Sequence, residues 1–312
     1  MKTNAIIRII LLSLAIVILT TILVGALFFR CSPFGPKLTD YPEPTAGQMN
    51  QFEFSTDIKR IEIEWVAGDI MIDAQEGLNT ISVFESMSND VTETMFCTTS
   101  GDTLKIQFCE DSIKFPTFGI NYNFSKDLHI TVPSSWHCDE LSIDAASSNV
   151  TINGLNINEI DFDGASGVMS IVDCNVWDLD IDTASGDVEF NGTLENLDFD
   201  AVSASFHGTV HNCPSQIEMN SLSGKLTLYL PSDCGFTVTN DSLSNKINSD
   251  FEVSFSHNAI VHGDGSCKID VSGLADDVTI NKHASETAPC NEPNCTDTTH
   301  NHQSLHSEPQ HH

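Results

Sequence analysis

Positive charge is scarce in this sequence. Only 13 of its 312 residues are Lys or Arg, against 44 Asp or Glu, for a formal net charge of −31. The imbalance is also uneven. No acidic residue precedes Asp40, so the chain after Thr39 carries all 44 acidic residues and nine basic ones, a net −35. Such a surface repels phosphate backbones and acidic polymers, which excludes nucleic acid as a partner, and it attracts cations and basic partners. From residue 127 to residue 282 the basic side chains are Lys225, Lys246, Lys268 and Lys282, with no Arg. A polysaccharide lyase needs cations to steady its acidic substrate, and this stretch is short of them. The chain also has no nucleophile elbow, no phosphate-binding loop and no His-Glu-x-x-His. No catalytic residue is assigned, and the chain is read as a non-enzyme. The ten cysteines have no dense framework spacing. Cys213 and Cys234 fall in equivalent turns of adjacent repeats, and Cys97 and Cys109 flank a hairpin turn at Ser100-Gly101-Asp102. Either pair could form a disulfide, or the cysteines could fill gaps as small hydrophobes.

The sequence is rich in internal repetition. From Leu141 it reads LSIDAASSNVTI, IDFDGASGVMSI, LDIDTASGDVEF, LDFDAVSASFHG and IEMNSLSGKLTL, then a weaker NDSLSNKIN. A serine recurs at Ser147, Ser166, Ser185, Ser203, Ser223 and Ser244, at spacings of 19, 19, 18, 20 and 21. A fixed period of this length marks a stacked array. Within each unit, apolar residues two apart precede the serine, as at Ile160/Phe162 and Leu179/Ile181. Others follow it, as at Met169/Ile171 and Val188/Phe190. That alternation predicts short strands with one face inward. Gly167, Gly186, Gly224 or Asn245 follows the serine, a residue type that tolerates the positive φ of a sharp corner. No unit can cover its own apolar face, so neighbours must stack. The predicted fold is all-β, a single-stranded β-solenoid or β-helix with coils of about 19–20 residues.

Three of these segments, Ala165-Ser166-Gly167, Ala184-Ser185-Gly186 and Leu222-Ser223-Gly224, each lead into an apolar alternation. With Ile61-Glu62-Ile63, Gly68-Asp69-Ile70 and Leu128-His129-Ile130-Thr131-Val132-Pro133 they resemble the bacterial putative-adhesin β-strand-repeat family, domain of unknown function 4097. The likeness runs from about residue 54 to 282. It implies an envelope-associated β-solenoid and is silent on activity. Ala204 in place of a turn glycine, the segment from Asp111 to Lys126 and the His-rich tail depart from the pattern.

Residues Ile9 to Phe29 are 21 uncharged, mostly apolar positions. As a helix they span about 30 Å, enough to cross a bilayer core, and no clean A-x-A cleavage site follows. The expected organisation is a cytoplasmic stub at 1–8, a transmembrane helix at 9–29 and a Pro-rich spacer at 30–52. A β-solenoid domain at 53–282 and a structureless tail at 283–312 complete it. The repeat domain is placed outside the cytoplasm, on a single-pass cell-membrane protein. The aromatic-rich stretch from Phe115 to Phe124 is read as cover for the solenoid edge or as a contact patch.

Two constellations could hold ions. Asp144, Asp163, Asp182, Asp200, Asn220 and Asp241 recur three residues before the serines. Asp161, Asp180, Asp198 and Glu218 recur two residues earlier. On stacked coils they form ladders about 4.8 Å apart, where like charges repel by roughly 1 kcal/mol per pair in water. Either the inner column caps the turn amides as Asx-turns, or Asp161, Asp163, Asp180, Asp182, Asp198 and Asp200 bind Ca²⁺ or another hard cation. The calcium nonapeptide G-G-x-G-x-D is absent. In the tail, Cys290, Cys295, His300 and His302 are ligand types for Zn²⁺ and similar metals, in a spacing that matches no closed site. No cofactor is required. The expected role is a non-catalytic binding module for an envelope or surface protein or polymer, adhesin-like or accessory to envelope-stress signalling. A cation-binding surface module is the alternative, and a solenoid polysaccharide-active enzyme a minor one.

Overall fold

A computed structural model describes residues 51–87, 94–109, 125–242, 246–256, 259–274 and 276–283. The helix expected at 9–29, the aromatic stretch from Phe115 to Phe124 and the His/Cys tail lie outside the described residues. The described chain is all-β, as the alternation requires. Its strands pair into a continuous 19-stranded sheet that curls around one core.

The first part of the chain gives β1 (Gln51–Ser55), β2 (Arg60–Ala67), β3 (Ile70–Gln75), β4 (Thr80–Met87), β5 (Phe96–Ser100), β6 (Thr103–Gln107) and β7 (Lys126–Pro133). The repetitive part gives β8 (His137–Ser147), β9 (Val150–Asn153), β10 (Asn156–Ser166), β11 (Val168–Val210), β12 (Gln216–Ser221) and β13 (Lys225–Pro231). The last part gives β14 (Phe236–Asn240), β15 (Lys246–Ser249), β16 (Ser254–Ser256), β17 (Ala259–His262), β18 (Cys267–Gly273) and β19 (Asp277–His283).

In the repetitive part, sequence neighbours are spatial neighbours. β8 pairs in parallel with β10, aligning Leu141 with Ile160 and Ser147 with Ser166. β10 pairs with β11 so that Ile160 meets Leu179 and Phe162 meets Ile181. Further along, Leu197 and Phe199 of β11 sit on Ile217 and Met219 of β12. Beyond the serine corners, Val150 lies against Met169 and Phe206 against Leu226. Leu179, Ile181, Phe190, Phe199 and Phe206 are buried, and the outward residues between them are polar. The period of two in the sequence is thus the inside–outside alternation of the strands.

The order changes at both ends. β2 lies between β6 and β8, and β3 between β7 and β9. The coil of residues 60–75 is therefore inserted one layer inward of a later one. At the other end, β18 lies between β12 and β14, and β19 between β13 and β15. The coil after Ser223 is followed in space by that of residues 267–283, not by that of Ser244. Winding in simple sequence order, the reading of the repeat, is corrected here. Antiparallel segments make the reversals: β4 against β1 and β7, the β5/β6 hairpin, and β16/β17 against β14. An antiparallel strand at the end of a parallel stack also changes the edge that the stack presents. Phe255 on β16 is 84% exposed.

The corners explain the glycines. Gly167 and Gly186 have φ of 143° and 137°. A Cβ on Gly186 would stand 2.0 Å from the Gly167 carbonyl oxygen, and one on Gly167 2.0 Å from that of Ser148. The stacked backbones leave no room for a side chain there. Gly224 is not in the positive-φ region, and Ala204 is accommodated, buried, in the layer before it.

Cys213 and Cys234 form a disulfide with Cα atoms 5.2 Å apart. Because β18 intervenes between β12 and β14, the bridge does not join adjacent layers as expected. It closes the circuit of β12 and β13 on itself. Cys97 is a free, buried thiol on β5, so the alternative Cys97–Cys109 bridge is not made. Cys138, Cys174 and Cys267 are buried gap-fillers, and burial pushes the Cys138 and Cys267 thiols up to about 12.

Candidate functional site

The outward positions of β2, β8, β10, β11, β12 and β18 form one acidic face. One column runs Glu64, Asp144, Asp163, Asp182, Asp200, Asn220 and Ser272. The next runs Glu62, Ser142, Asp161, Asp180, Asp198, Glu218 and Asp270. A third contains Arg60, Glu140, Glu159, Asp178, Asn196, Gln216 and Lys268. The structure therefore brings Asp161, Asp163, Asp180, Asp182, Asp198 and Asp200 together on one surface.

Neutralisation is confined to the ends. Lys105 Nζ stands 2.6 Å from Glu64 and 3.8 Å from Glu62, and Arg60 pairs with Asp102 at 2.5 Å. At the far side Lys268 takes its place in the third column and donates to the Gly265 carbonyl at 2.5 Å. Between them, among the described residues, no Lys or Arg makes an ion pair with the aspartates of β10 and β11. Amides give some relief: Asn196 donates to Asp178 at 2.7 Å, and Asn220 donates to Glu218 at 3.5 Å.

This crowding sets the protonation chemistry. Asp182 is pushed from 3.8 up to about 7, first by burial and then by Asp200, Asp163, Asp180 and Asp198. Asp144 and Asp198 rise to about 6, again through burial first and neighbouring carboxylates second. Asp161, Asp163, Asp180, Asp200 and Glu159 are also raised, each with burial as the leading cause. All these shifts share one sign and one leading cause. A hydrolytic pair needs two carboxylates driven apart.

The Asx-turn expectation for the inner column is corrected. Asp144, Asp163, Asp182 and Asp200 lie within extended β8, β10 and β11, pointing outward. Among the described residues none of them accepts a hydrogen bond from a corner amide. The strand simply continues to the serine, so its side chains cannot fold back onto the turn. Nor do any three His, Cys, Asp or Glu side chains among the described residues converge on a point that a metal would occupy. Cys290, Cys295, His300 and His302 lie outside the described residues.

Two polar clusters inside the fold went unread in the sequence. At one end Lys126 and Glu85, both fully buried, pair at 3.0 Å. Lys126 also donates to the Phe108 carbonyl and lies 4.1 Å from the Phe108 ring centre and 5.2 Å from that of Trp65. The Met95 amide donates to both Glu85 oxygens, at 2.8 and 2.9 Å. At the other end buried Asp276 accepts from Ser221 Oγ, from the Gly224 amide at 3.0 Å and from Ser242 Oγ at 2.8 Å. It thereby ties together the corners of the layers on either side of its own. A shallow groove of about 410 Å³ also crosses the serine corners at Ser203, Ala204, Ser205 and Ser223, where the turn glycine is replaced.

The Toastrack family model (domain of unknown function 4097) matches residues 58–194 and again 135–281. The chain belongs to the Toastrack family. The two Toastrack matches overlap over the central layers, and each takes in one rearranged end. Among solved structures, a putative adhesin from Bacteroides fragilis is 14% identical, covering 76% of this chain and 98% of its own, with a TM-score of 0.47. A putative cell adhesion protein from Clostridium sporogenes is 12% identical, with coverages of 76% and 100% and a TM-score of 0.35. A putative lipid binding protein from Parabacteroides distasonis is 17% identical, with coverages of 77% and 98% and a TM-score of 0.35. No curated protein matches the sequence.

Proposed function

We propose that this Toastrack domain is a non-catalytic β-solenoid binding module, held outside the cytoplasm by the helix at 9–29. Its acidic face engages a cationic segment of an envelope or surface partner. The observation that carries this reading is the set of aspartates on β10 and β11. They are stacked in register, lack basic counterparts among the described residues, and are raised in pKa by burial first and by one another second. A basic partner would supply the positive charge that the fold withholds. The Cys213–Cys234 bridge supports an oxidising location, where disulfides persist. Adhesion and an accessory role in envelope-stress signalling both fit such a module.

The test is binding of the detergent-solubilised full chain to immobilised poly-lysine. Affinity should fall steeply with salt, and Asp180→Asn/Asp182→Asn/Asp198→Asn should weaken it by roughly tenfold at low ionic strength. Unchanged affinity in the triple variant would sink the reading. Turnover of a cell-wall polymer that disappears in Asp180→Asn would replace it with an enzyme.

A second reading rests on the same raised pKa values. Carboxylates that hold protons against repulsion would also gain from a cation atmosphere, so the face would serve as a cation-binding surface. With no three ligands converging, calcium would sit diffusely along the ladder rather than in a chelate. This reading predicts that Ca²⁺ raises the melting temperature no more than the same ionic strength of Mg²⁺.

A further inference from the structure

We infer that His211 and His283 form a two-imidazole site for a borderline transition metal such as Zn²⁺ or Ni²⁺. His211 follows the end of β11, and His283 ends β19. The register of β11 on β13 puts Thr209 opposite Tyr229, two residues before His211 and Pro231. The register of β13 on β19 puts Pro231 opposite His283. Two layers, or about 9.6 Å of strand spacing, therefore separate the two histidine backbones. Yet their ring centres are only 5.4 Å apart, with planes inclined at 49°.

A shared metal fits that separation. A metal about 2.05 Å from one nitrogen of each ring, at a tetrahedral angle, sets the ring centres about 5.2 Å apart. Among the described residues neither imidazole has a hydrogen-bond partner, so a ring nitrogen on each is available. His211 is exposed and His283 half-buried, so a metal can enter from solvent. Imidazole is the ligand for Zn²⁺, Ni²⁺ and Cu²⁺ rather than for Ca²⁺, which separates this site from the carboxylate face. The remaining coordination positions fall to water.

The experiment measures the melting temperature of the full chain in detergent, with and without Ni²⁺ or Zn²⁺. A metal bridging two layers of the folded domain stabilises it by mass action, and near a hundredfold excess over Kd the rise should be roughly 5 °C. His211→Ala should abolish the rise while leaving the metal-free melting temperature unchanged, since the His211 amide still donates to the Gly192 carbonyl at 2.8 Å. Taking the difference between wild type and His211→Ala cancels any effect of the acidic face. A Cys290→Ser/Cys295→Ser/His300→Ala/His302→Ala variant should keep the rise. If that variant loses the rise, the metal is held by the tail rather than by the His211–His283 pair, and the proposal is overturned. A wild type that gains nothing from either metal, or a His211→Ala variant that gains as much as wild type, overturns the proposal.

Discussion

The central layers and the two ends of this domain are built on different principles. In the centre, from β8 to β12, each layer repeats the one before it. Isoleucine, leucine and phenylalanine stack in columns, glycine lines the corner, and aspartate lines the outer face. The ends break sequence order, reverse strand direction and bury polar groups. One end holds the Lys126–Glu85 pair among aromatic rings. The other holds Asp276 between two corners and the disulfide that closes a circuit of chain. A repeating unit specifies its neighbours but offers no instruction to stop, because every layer leaves the same edge open to another. The non-periodic chemistry at the ends supplies that instruction. The two overlapping family matches fit the same division, sharing the centre and each containing one end.

The largest effect should come from breaking an end. Removing one partner of a buried ion pair leaves the other charge unpaired in the interior and costs about 3–5 kcal/mol. Lys126→Met should lower stability in urea by about 4 kcal/mol. Lys126→Met/Glu85→Leu should recover much of that, although the Met95 amide then loses its acceptor. A single variant that unfolds like wild type would show that the pair does not hold the end. Next comes the centre's corner. Gly167→Ala would put a Cβ 2.0 Å from the Ser148 carbonyl at a φ that alanine avoids. A loss of about 3 kcal/mol is expected, whereas Ala204→Gly should cost under about 1 kcal/mol. Equal effects at the two positions would mean that the corners are interchangeable. Replacing Cys213 and Cys234 with serine opens the closed circuit and should cost about 3 kcal/mol by chain entropy.

The contrast between centre and ends is also the contrast between what the sequence discloses and what it conceals. Ile160, Leu179 and Leu197 declare the stack because burial on alternate residues recurs with a countable period. Asp161, Asp180 and Asp198 declare the outer face for the same reason. Asp163 and Asp182 suggested turn capping, since an aspartate three residues before a serine is a familiar Asx geometry. The extended strand overrides that local preference and points them outward. The exchanged order of the end layers left no periodic trace. β18 aligns with β12 across a gap of about fifty residues, and nothing in the sequence between Ser223 and Ser272 shows that the chain will return one layer inward. Lys126 and Glu85 gave no signal either, since a buried ion pair depends on two positions far apart in the chain. Cys213 and Cys234 were legible as a pair, but not as the closure of a single circuit of β12 and β13.

The smallest expected effect is the one that best separates the two regions, because it depends on pH. Asp182 binds its proton at about 7 in the folded chain against 3.8 as a free side chain, and Asp144 and Asp198 bind theirs at about 6. The folded state therefore takes up protons over a range where the unfolded state does not. Stability contributed by these groups is full below pH 3.8 and is lost as pH rises through 6 and 7. Because the side chains are only half-buried, solvent screening reduces the combined contribution to about 2 kcal/mol. The melting temperature should rise by roughly 5 °C between pH 8 and pH 5, the reverse of ordinary acid destabilisation. Asp182→Asn should raise the melting temperature at pH 8 and flatten the slope, and added salt at pH 8 should act in the same direction. Opening the Cys213–Cys234 bridge should lower the whole curve without changing its slope, because that change removes no titrating carboxylate from the acidic face. A melting temperature that falls steadily from pH 8 to pH 5 would show that the repulsion along the centre is already relieved by other means.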